Sequence, residues 1–432
     1  MKIFPNCFAQ FLLLSLSLLS CNNLEDASPD NRKSFYHAFG GSTNFYGKVV
    51  EIDGEGFIAG ADSVASNGVN AIVIKTDKLG NPIWRKMIKD ASVNAIKVVT
   101  DGYLIFGDGI QYIDSVQQVD KVKSKARLIK MDLNGNIKID KVWGDNSPDT
   151  RVDFQGTALT LNGDTLISTI NFKKPGSNQI TILAAHSPVT LDTFWTQSYY
   201  LLDRDLINGK AVSITSSKDV IWASSAVAET QAAKASYLNV PVVKPNSTFV
   251  NAARFGQTDD AFYSGADVKQ SAVGFGVVGT FSSKTGTNSN LYFVKLDPSG
   301  NIVTGSELYF DASLSQGNIP IPSNNKTNSE TQDTGDALAV TSDGGYLLAG
   351  SMTTTATAGG DIGNGGTDIY LVRLDPFGTV LWTKIIGGTG NESVACVRQT
   401  SDGGFVICGT NNLNELSSVI LFKTDRNGEF RE

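Results

Sequence analysis

Hydrophobic and polar residues follow one pattern that recurs along most of the chain. In the two clearest copies, 342–350 and 401–409, a Ser-Asp-Gly-Gly turn precedes a short apolar run. A second apolar run follows in each copy and ends at an Asp-x-x-Gly turn that begins at Asp375 or Asp425. Apolar runs bounded by Gly and Asx turns are typical of consecutive antiparallel strands. The pattern therefore predicts a series of β-hairpins.

Earlier parts of the chain contain the same pattern. Plain copies end at Asp77, Asp132 and Asp297. The spacing from Asp132 to Asp297 is three times the spacing from Asp77 to Asp132, which predicts two degenerate copies between them. We place these copies at 165–195 and 219–247. The mean period of roughly 58 residues is typical of a solenoid or a propeller.

Each repeat has room for four strands. Two further β-rich runs lie between the repeated pairs, for example 380–386 and 393–400. Four antiparallel strands per repeat form a propeller blade, so the sequence predicts an all-β, seven-bladed β-propeller. A solenoid is the alternative architecture, but it needs capping repeats at its ends.

The two ends of the chain complement each other. The last copy stops at Glu432 without a fourth strand, and residues 34–41 precede the first inner strand just as 383–388 precede the last one. We predict that this N-terminal strand closes the C-terminal blade, because such pairing leaves no open sheet edge. Residues 34–432 then form a single propeller domain.

The N-terminus has the pattern of a leader peptide. Lys2 is followed by an apolar stretch, 8–19, that is too short to span a bilayer. With Leu18 and Ser20 in front of Cys21, the segment resembles a bacterial lipoprotein signal. An ordinary secretory leader with an incidental Cys is the alternative.

The lipoprotein resemblance implies a location. It implies a signal peptide at 1–20, a lipid anchor on Cys21 and a flexible tether at 21–33. The protein is then expected in the cell envelope as an outer-membrane lipoprotein, periplasmic or surface-exposed. The acidic pair Glu25 and Asp26 resembles the surface-export signal of lipoproteins in the Bacteroidetes group.

The repeat itself resembles the β-propeller repeats of bacterial envelope proteins. The shared pattern is Asp-Gly-Gly-aromatic, then Val-Lys-Leu-Asp-x-x-Gly-Asn, then Trp, and it covers 34–432. The resemblance implies the fold. It implies little about activity, because propellers perform binding, scaffolding and catalysis alike.

The net charge limits the classes of partner that the protein is expected to bind. The net charge of −7 disfavours nucleic acid and anionic lipid, and no long basic run opposes this. We therefore expect the protein to contact the membrane only through its lipid and to be monomeric.

Cys396 and Cys408 flank the 401–404 turn, and the sequence leaves open whether they are free thiols or a disulfide.

Residues that could perform catalysis are scarce. His37 and His186 are the two histidines, and both fall in predicted strands, where they offer no triad, metal site or general base. The Asp-x-x-Gly-Asn and Asp-Gly-Gly segments are interpreted as tight turns, because Gly adopts positive φ and Asx side chains bond the local backbone. Calcium in these turns is possible but unsupported, and no cofactor is predicted. The tryptophans near the fourth strands are expected to pack between blades: Trp84, Trp143, Trp195 and Trp382.

We expect a ligand on one face of the propeller. The turns that join first to second and third to fourth strands are short, whereas 108–125, 310–335 and 351–367 on the other face are long and irregular. Long loops on a rigid frame commonly carry binding residues. The candidate residues in them form an aromatic platform and a polar, acidic rim suited to a glycan, a protein or a cation: Tyr112, Asn324, Asn325, Asp333, Asp336, Asp361, Asn364 and Asp368.

The sequence thus favours a lipid-anchored binding or scaffold protein over an enzyme. Its ligand is a protein or a glycan. An outer-membrane assembly factor that docks on barrel-insertion machinery is one alternative. A glycan hydrolase or lyase that uses carboxylates is another, and it needs two carboxyl groups at the separation that glycosidases use.

Overall fold

The computed structural model describes the chain in stretches between Ser34 and Phe430. The described residues are 34–54, 56–66, 68–112, 122–144, 152–174, 176–201, 204–228, 236–247, 251–256, 261–283, 289–313, 331–354, 363–413 and 416–430. They form strands, turns and loops. No helix that could cross a membrane occurs in these stretches.

Four-stranded antiparallel units follow one another along the chain, and we name them sheets A to G. The chain begins with β1 (Phe35–Phe39). Sheet A contains β2 (Asn44–Asp53), β3 (Gly56–Ala65), β4 (Gly68–Thr76) and β5 (Pro82–Ile88). Sheet B contains β6 (Ala95–Val99), β7 (Gly102–Tyr112), β8 (Val122–Met131) and β9 (Ile137–Trp143). Sheet C contains β10 (Asp153–Asn162), β11 (Thr165–Lys173), β12 (Ile180–His186) and β13 (Thr193–Tyr199).

The second half of the chain repeats this order. Sheet D contains β14 (Arg204–Ile214), β15 (Val220–Ala228), β16 (Tyr237–Val243) and β17 (Asn251–Phe255). Sheet E contains β18 (Ala261–Ser271), β19 (Gly274–Ser283), β20 (Ser289–Leu296) and β21 (Leu308–Phe310). In sheet F the first strand is interrupted, since β22 (Thr331–Asp333) and β23 (Ala337–Val340) both pair with β24 (Tyr346–Thr354). Sheet F continues with β25 (Thr367–Leu374) and β26 (Val380–Ile386).

Sheet G joins the two ends of the chain. It contains β27 (Asn391–Gln399), β28 (Phe405–Leu413) and β29 (Leu416–Thr424), and β1 is its fourth strand. The register of β1 on β29 runs from Phe35 opposite Lys423 to Phe39 opposite Val419, which confirms the predicted pairing. The ring of His37 also bonds the carbonyl of Leu79 in sheet A, with 3.0 Å between Nε2 and O.

The hydrophobic core lies between neighbouring sheets. Separate clusters join sheet B to C, C to D, D to E, E to F and F to G. Another cluster joins sheets A and B to buried residues of sheet G, including Cys408 and Leu421. The first strand β2 likewise contacts β27, β28 and β29. The sheets therefore contact one another in order, and the last contacts the first, as in a β-propeller.

The degenerate repeats are confirmed as strands, but two predicted loops are shorter than expected. The 165–195 segment forms β11 to β13, and the 219–247 segment contains β15 and β16. The ladder between β7 and β8 continues to Tyr112 opposite Val122, because backbone pairing extends beyond the apolar run. Similarly, β24 continues to Thr354.

The recurrent turn motif has the structural role that its sequence predicts. The Oδ1 atom of Asp77 accepts hydrogen bonds from the backbone N–H groups of Leu79 and Asn81, at 2.9 and 2.8 Å, and its Oδ2 accepts one from the Asn81 amide at 2.9 Å. The same bonds recur at Asp132 and Asp297. These carboxylates cap their own turns.

The tryptophans join neighbouring sheets, as expected. The indole of Trp84 donates to the carbonyl of Leu133 at 3.2 Å, and the indole of Trp143 donates to the hydroxyl of Thr193 at 2.9 Å. In both pairs the acceptor belongs to the next sheet or its turn. Trp382 packs beside Gly428, in the turn after β29.

The thiols of Cys396 and Cys408 are buried and free. They lie directly opposite each other on β27 and β28, next to a register shift between Val394 and Cys396. Burial raises the pKa of the Cys408 thiol, which disfavours the reactive thiolate. Both side chains belong to the core cluster between sheets G and A.

We expect deletion of residues 34–41 to lower the melting temperature sharply. The deletion removes β1, exposes the edge of β29 and leaves Phe422 without the stacked ring of Tyr36. Circular dichroism melting of the deleted chain measures the effect. A matched deletion of residues 22–33, which retains β1, is the control, and equal melting temperatures for the two deletions would contradict closure by β1.

Candidate functional site

A polar cavity of about 490 Å³ lies where the first strands of several sheets converge. Sheets A, B, C, D and G all contribute to its wall. The lining residues are Tyr46, Gly47, Lys48, Asn94, Asp108, Gln155, Thr157, Gly209, Lys210, Ser393, Val394, Ala395 and Thr410. We call this space the central cavity. It lies at the starts of the first strands, on the face that carries the connections from second to third strands.

β-Bulges bring side chains into the central cavity. Register shifts occur in β2 between Gly47 and Val49, and in β10 between Gly156 and Ala158. The residues left between the paired positions, Lys48 and Thr157, line the cavity. A bulge leaves one residue out of the ladder and turns its side chain away from the regular alternation. Bulges in β14 and β27 occur at the corresponding places.

Side chains from one sheet fasten the bulges of the next sheet. The backbone N–H of Gly47 donates to the Thr410 hydroxyl at 3.0 Å, and that of Gly156 donates to Asp108 Oδ1 at 2.8 Å. Gly265 and Gly335 make equivalent bonds to serine and threonine hydroxyls of the preceding sheets. The wall of the cavity is therefore fixed by hydrogen bonds between sheets.

Two carboxylates at the cavity have raised pKa values. Burial raises the pKa of Asp108 to about 6, and the negative charge of Asp62 adds to this effect. Burial also raises the pKa of Asp62, although the Lys48 ammonium opposes it, with 3.4 Å between Nζ and Oδ2. Asp62 Oδ1 accepts a bond from the Val93 N–H at 2.9 Å. Each of these two carboxylates thus accepts a hydrogen bond from the backbone of the next sheet and so links two sheets.

Deeper charged groups are paired within the protein. Arg398 binds Glu51 through two nitrogens, at 3.1 and 2.9 Å, and Lys97 binds the same carboxylate at 3.0 Å. Burial by itself would raise the pKa of Glu51, but the two cations outweigh it and lower the pKa to about 2. Lys269 similarly contacts Asp267 at 2.7 Å. The charges of these groups already neutralise one another. A ligand therefore gains more binding free energy from the polar groups that line the central cavity.

A buried Ser–His pair exists but cannot reach a substrate. The Ser168 hydroxyl lies 2.8 Å from His186 Nε2, and the Thr193 hydroxyl lies 3.1 Å from Nδ1. Ser168 and His186 are both 0% exposed, and burial lowers the pKa of His186 to about 4. A general base needs access to the reacting group. The Ser168–His186 pair therefore has a structural role inside sheet C.

The described members of the predicted ligand site lie in separate places. Asp336 contacts Lys210 near the central cavity, with 3.5 Å between the charged atoms. Asp333 lies between sheets E and F, and Asn364 and Asp368 lie between sheets F and G. Tyr112 ends β7, and its side chain is not among the described parts. The remaining predicted residues, Cys21, Asn324, Asn325 and Asp361, lie outside the described residues.

Sequence reasoning missed the central cavity. Many of its polar side chains stand on first strands, next to glycines such as Gly47 and Gly209, whereas Asp108 and Thr410 stand on second strands. The signal was present as a Gly-x-Ala or Gly-x-Val step at the start of several repeats, for example Gly47 to Val49 and Gly156 to Ala158. Only the convergence of the sheets shows that the middle residues of these steps share one space.

Asp333 is a buried acid with an unusual environment. It is 0% exposed, its Oδ2 accepts bonds from the Ala312 N–H at 2.9 Å and the Thr331 hydroxyl at 3.2 Å, and its Oδ1 has no partner among the described residues. Burial and the nearby charge of Asp311 raise the pKa of Asp333 to about 8. Burial, with a further contribution from the same two carboxylates, raises the pKa of Tyr370. We therefore expect the Asp333 side chain to hold a proton at pH 7.

We expect Asp333→Asn to stabilise the protein more at pH 8 than at pH 5. The folded state keeps a proton that the unfolded state loses near pH 4, so stability falls by on the order of 1 kcal/mol per pH unit as the pH rises towards 8. The asparagine amide of the variant does not titrate in this range, so the variant lacks this loss of stability. Melting temperatures between pH 5 and 8 measure the effect, with the exposed turn residue Asp164→Asn as the control. A pH slope for Asp333→Asn equal to that of the unchanged chain would show that the acid is ionised.

Comparison with known proteins gives likenesses of fold only. No family model and no curated protein match the chain. The chain is similar to the β-propeller domain of the Trilobed protease from Pyrococcus furiosus, at 8% identity and a TM-score of 0.45, over 90% of this chain and 99% of that one. It is similar to Drosophila Semaphorin 1a, extracellular domains 1-2, at 10% identity and 0.46, over 89% and 87%. Puromycin hydrolase gives 11% identity and 0.48, over 90% and 54%. Likenesses of this strength say nothing about ligand or activity.

Proposed function

We propose that this chain is a seven-bladed β-propeller lipoprotein of the cell envelope that binds a glycan in its central cavity. The order of sheets A to G, the pairing of β1 with β29 and the division of the core support the architecture. The leader-like pattern in front of Cys21 supports the lipid anchor. Binding, and not catalysis, is the activity that we assign.

The polar lining of the central cavity is the observation that carries this proposal. The Gln155 amide and the Ser393 hydroxyl are exposed there, and neither bonds another described side chain or backbone group. Such groups donate and accept hydrogen bonds, as do sugar hydroxyls. Tyr46 adds a partly exposed aromatic ring. A few fixed polar groups beside an aromatic surface are typical of sites that orient a small polar ligand.

Two lysines favour a glycan that carries a carboxylate. Lys48 and Lys210 reach the same cavity, and their ion-pair distances of 3.4 and 3.5 Å to Asp62 and Asp336 are longer than those of the deeper pairs. A carboxylate on the ligand could replace these contacts at shorter distance. We therefore assign uronic-acid-type glycans as the ligand class.

Other features of the molecule suit this role less well. A cavity of about 560 Å³ between sheets B and C is lined mainly by apolar side chains such as Trp143, Phe154 and Phe172, so it offers few groups to a sugar. Asp62 and Asp108, the carboxylates nearest the central cavity, hold backbone N–H groups of neighbouring sheets. Because Asp62 and Asp108 are engaged in these hydrogen bonds, they are poor candidates for a glycosidase pair. Glycosidase carboxylates must be free to act on substrate and water.

We expect Gln155→Ala and Ser393→Ala each to weaken glycan binding by roughly fivefold to tenfold, since each removes about one hydrogen bond. Calorimetric titration of the purified full chain with uronic-acid oligosaccharides measures the affinity. Lys210→Ala should weaken binding of the acidic glycan but not of its neutral counterpart. The control is Gln197→Ala, which changes an amide on the outer strand of sheet C. Unchanged affinity in the cavity variants would refute the site, and capture of a protein partner without glycan binding would favour the scaffold alternative.

We expect Cys21→Ser to move the protein from the membrane fraction to the soluble fraction. The thiol at position 21 is the only acceptor for the lipid in the proposed anchor. Labelling with a radioactive fatty acid, followed by fractionation, measures the change. Cys7→Ser is the matched control, since Cys7 lies inside the leader and should have no effect. Retention of the label after Cys21→Ser would rule out the anchor.

A further inference from the structure

Two glycine-rich loops meet between sheets F and G and enclose two carboxylates. One loop, 363–366, precedes β25, and the other, 387–390, joins β26 to β27. The side chain of Asp368 is 0% exposed, and that of Glu392 is 4% exposed. Asp368 Oδ2 accepts a bond from the Asn364 N–H at 2.9 Å, and Glu392 Oε2 accepts one from the Gly388 N–H at 3.0 Å. The loops therefore hold both acids in fixed positions.

The glycines are required because the carboxylates occupy the space of their missing side chains. A Cβ atom on Gly387 would lie 1.7 Å from Asp368 Oδ1 and 2.7 Å from Glu392 Oε2. The two carboxylate oxygens are thus separated by no more than the sum of these distances, about 4.4 Å. A Cβ atom on Gly390 would lie 3.0 Å from Glu392 Oε1 and 2.9 Å from the Oδ1 atom of Asn411. Glu392 therefore lies beside Asp368 at Gly387 and beside Asn411 at Gly390.

Oxygen atoms in this group lack hydrogen-bond partners. Asp368 Oδ1 and Asn411 Oδ1 are both buried, and neither accepts a bond in the described part of the chain. Two other buried acids do contact a cation: Asp267 lies 2.7 Å from the Lys269 ammonium, and Asp62 lies 3.4 Å from that of Lys48. No such cation contacts Asp368 or Glu392 among the described residues. Two close buried carboxylates without a positive partner are costly.

A cation could reach Glu392 and Asn411 from solvent. A cavity of about 360 Å³ extends to Glu392, Asn411 and Gly387, and its remaining wall includes Tyr36 and Phe430. Carboxylate and amide oxygens are the ligands that Ca²⁺ takes, whereas softer metals prefer nitrogen or sulfur. Within the described residues no third acid, histidine or cysteine joins the pair, so water and main-chain carbonyls would complete the shell.

We propose that Asp368, Glu392 and Asn411 bind a divalent cation of the calcium class. The cation neutralises both carboxylates and links the loop before β25 to the start of β27. This joins sheet F to sheet G on the face that carries the central cavity. The proposal stands independently of glycan binding, since none of its three side chains lines that cavity.

The test is the response of the full chain to Ca²⁺. We expect millimolar CaCl₂ to raise the melting temperature of EDTA-treated protein by a few degrees, because a ligand that binds the folded state stabilises it. Asp368→Asn and Glu392→Gln should abolish this response. Asp368→Asn should also raise the melting temperature in EDTA, since it removes one of two uncompensated charges. Asn411→Ala, at a partly exposed position, should weaken Ca²⁺ affinity by roughly tenfold with little effect in EDTA.

Two controls make the outcome decisive. Asp164→Asn, in an exposed turn, should retain the full Ca²⁺ response, and MgCl₂ should give a smaller shift because Mg²⁺ demands a tighter octahedral site. Absence of any Ca²⁺ heat or melting shift in the unchanged chain would overturn the proposal. A Ca²⁺ shift that persists in both Asp368→Asn and Glu392→Gln would overturn it equally. If Asp368→Asn lowers the melting temperature alike in EDTA and in Ca²⁺, the carboxylate is only a structural acceptor and the proposal is wrong.

Discussion

The contact between the first strand of one sheet and the second strand of the preceding sheet is the interaction on which the rest of this structure depends. Gly47 of sheet A lies so close to sheet G that a Cβ atom would be 2.2 Å from the carbonyl oxygen of Gly409. At that distance only glycine fits, and the Gly47 N–H bonds the Thr410 hydroxyl. The same contact places the bulges, and the bulges place the side chains that line the central cavity. The same close contact between sheets therefore joins sheet A to sheet G and forms the wall of the proposed ligand site.

Charge in the interior follows a simple rule with informative exceptions. Glu51, Arg398 and Lys97 form a compact, half-buried group, where a reduced dielectric strengthens their attraction. Burial of such groups is tolerated when they are paired. Asp333 is accommodated in another way, because its raised pKa favours the protonated, neutral form. Asp368 and Glu392 lie close together and contact no cationic side chain among the described residues, and this is why we propose a bound cation as their partner.

Local chemistry was readable from the sequence wherever the cause of a structure lies within a few residues. The turn at Asp77 forms because one carboxylate bonds the N–H groups of residues two and four positions later. The strand-and-turn pattern is equally local, so even the degenerate repeats near Thr165 and Asp219 were found. The place of β1 followed from counting strands, since the last repeat lacked its fourth.

What the sequence by itself determined was thus the all-β repeat, the turn chemistry, the packing role of Trp84 and Trp143 and the return of the N-terminal strand to the last sheet. Tertiary structure alone decided which side chains meet. Gln155, Lys210 and Ser393 are far apart in the chain, and nothing local in their neighbourhoods reveals that they share a cavity. The same holds for Asp368 and Asn411, which were separated by two strands until the sheets packed. A repeat fixes each sheet through short-range bonds, whereas a site arises from long-range convergence, which depends on how every sheet packs against the next.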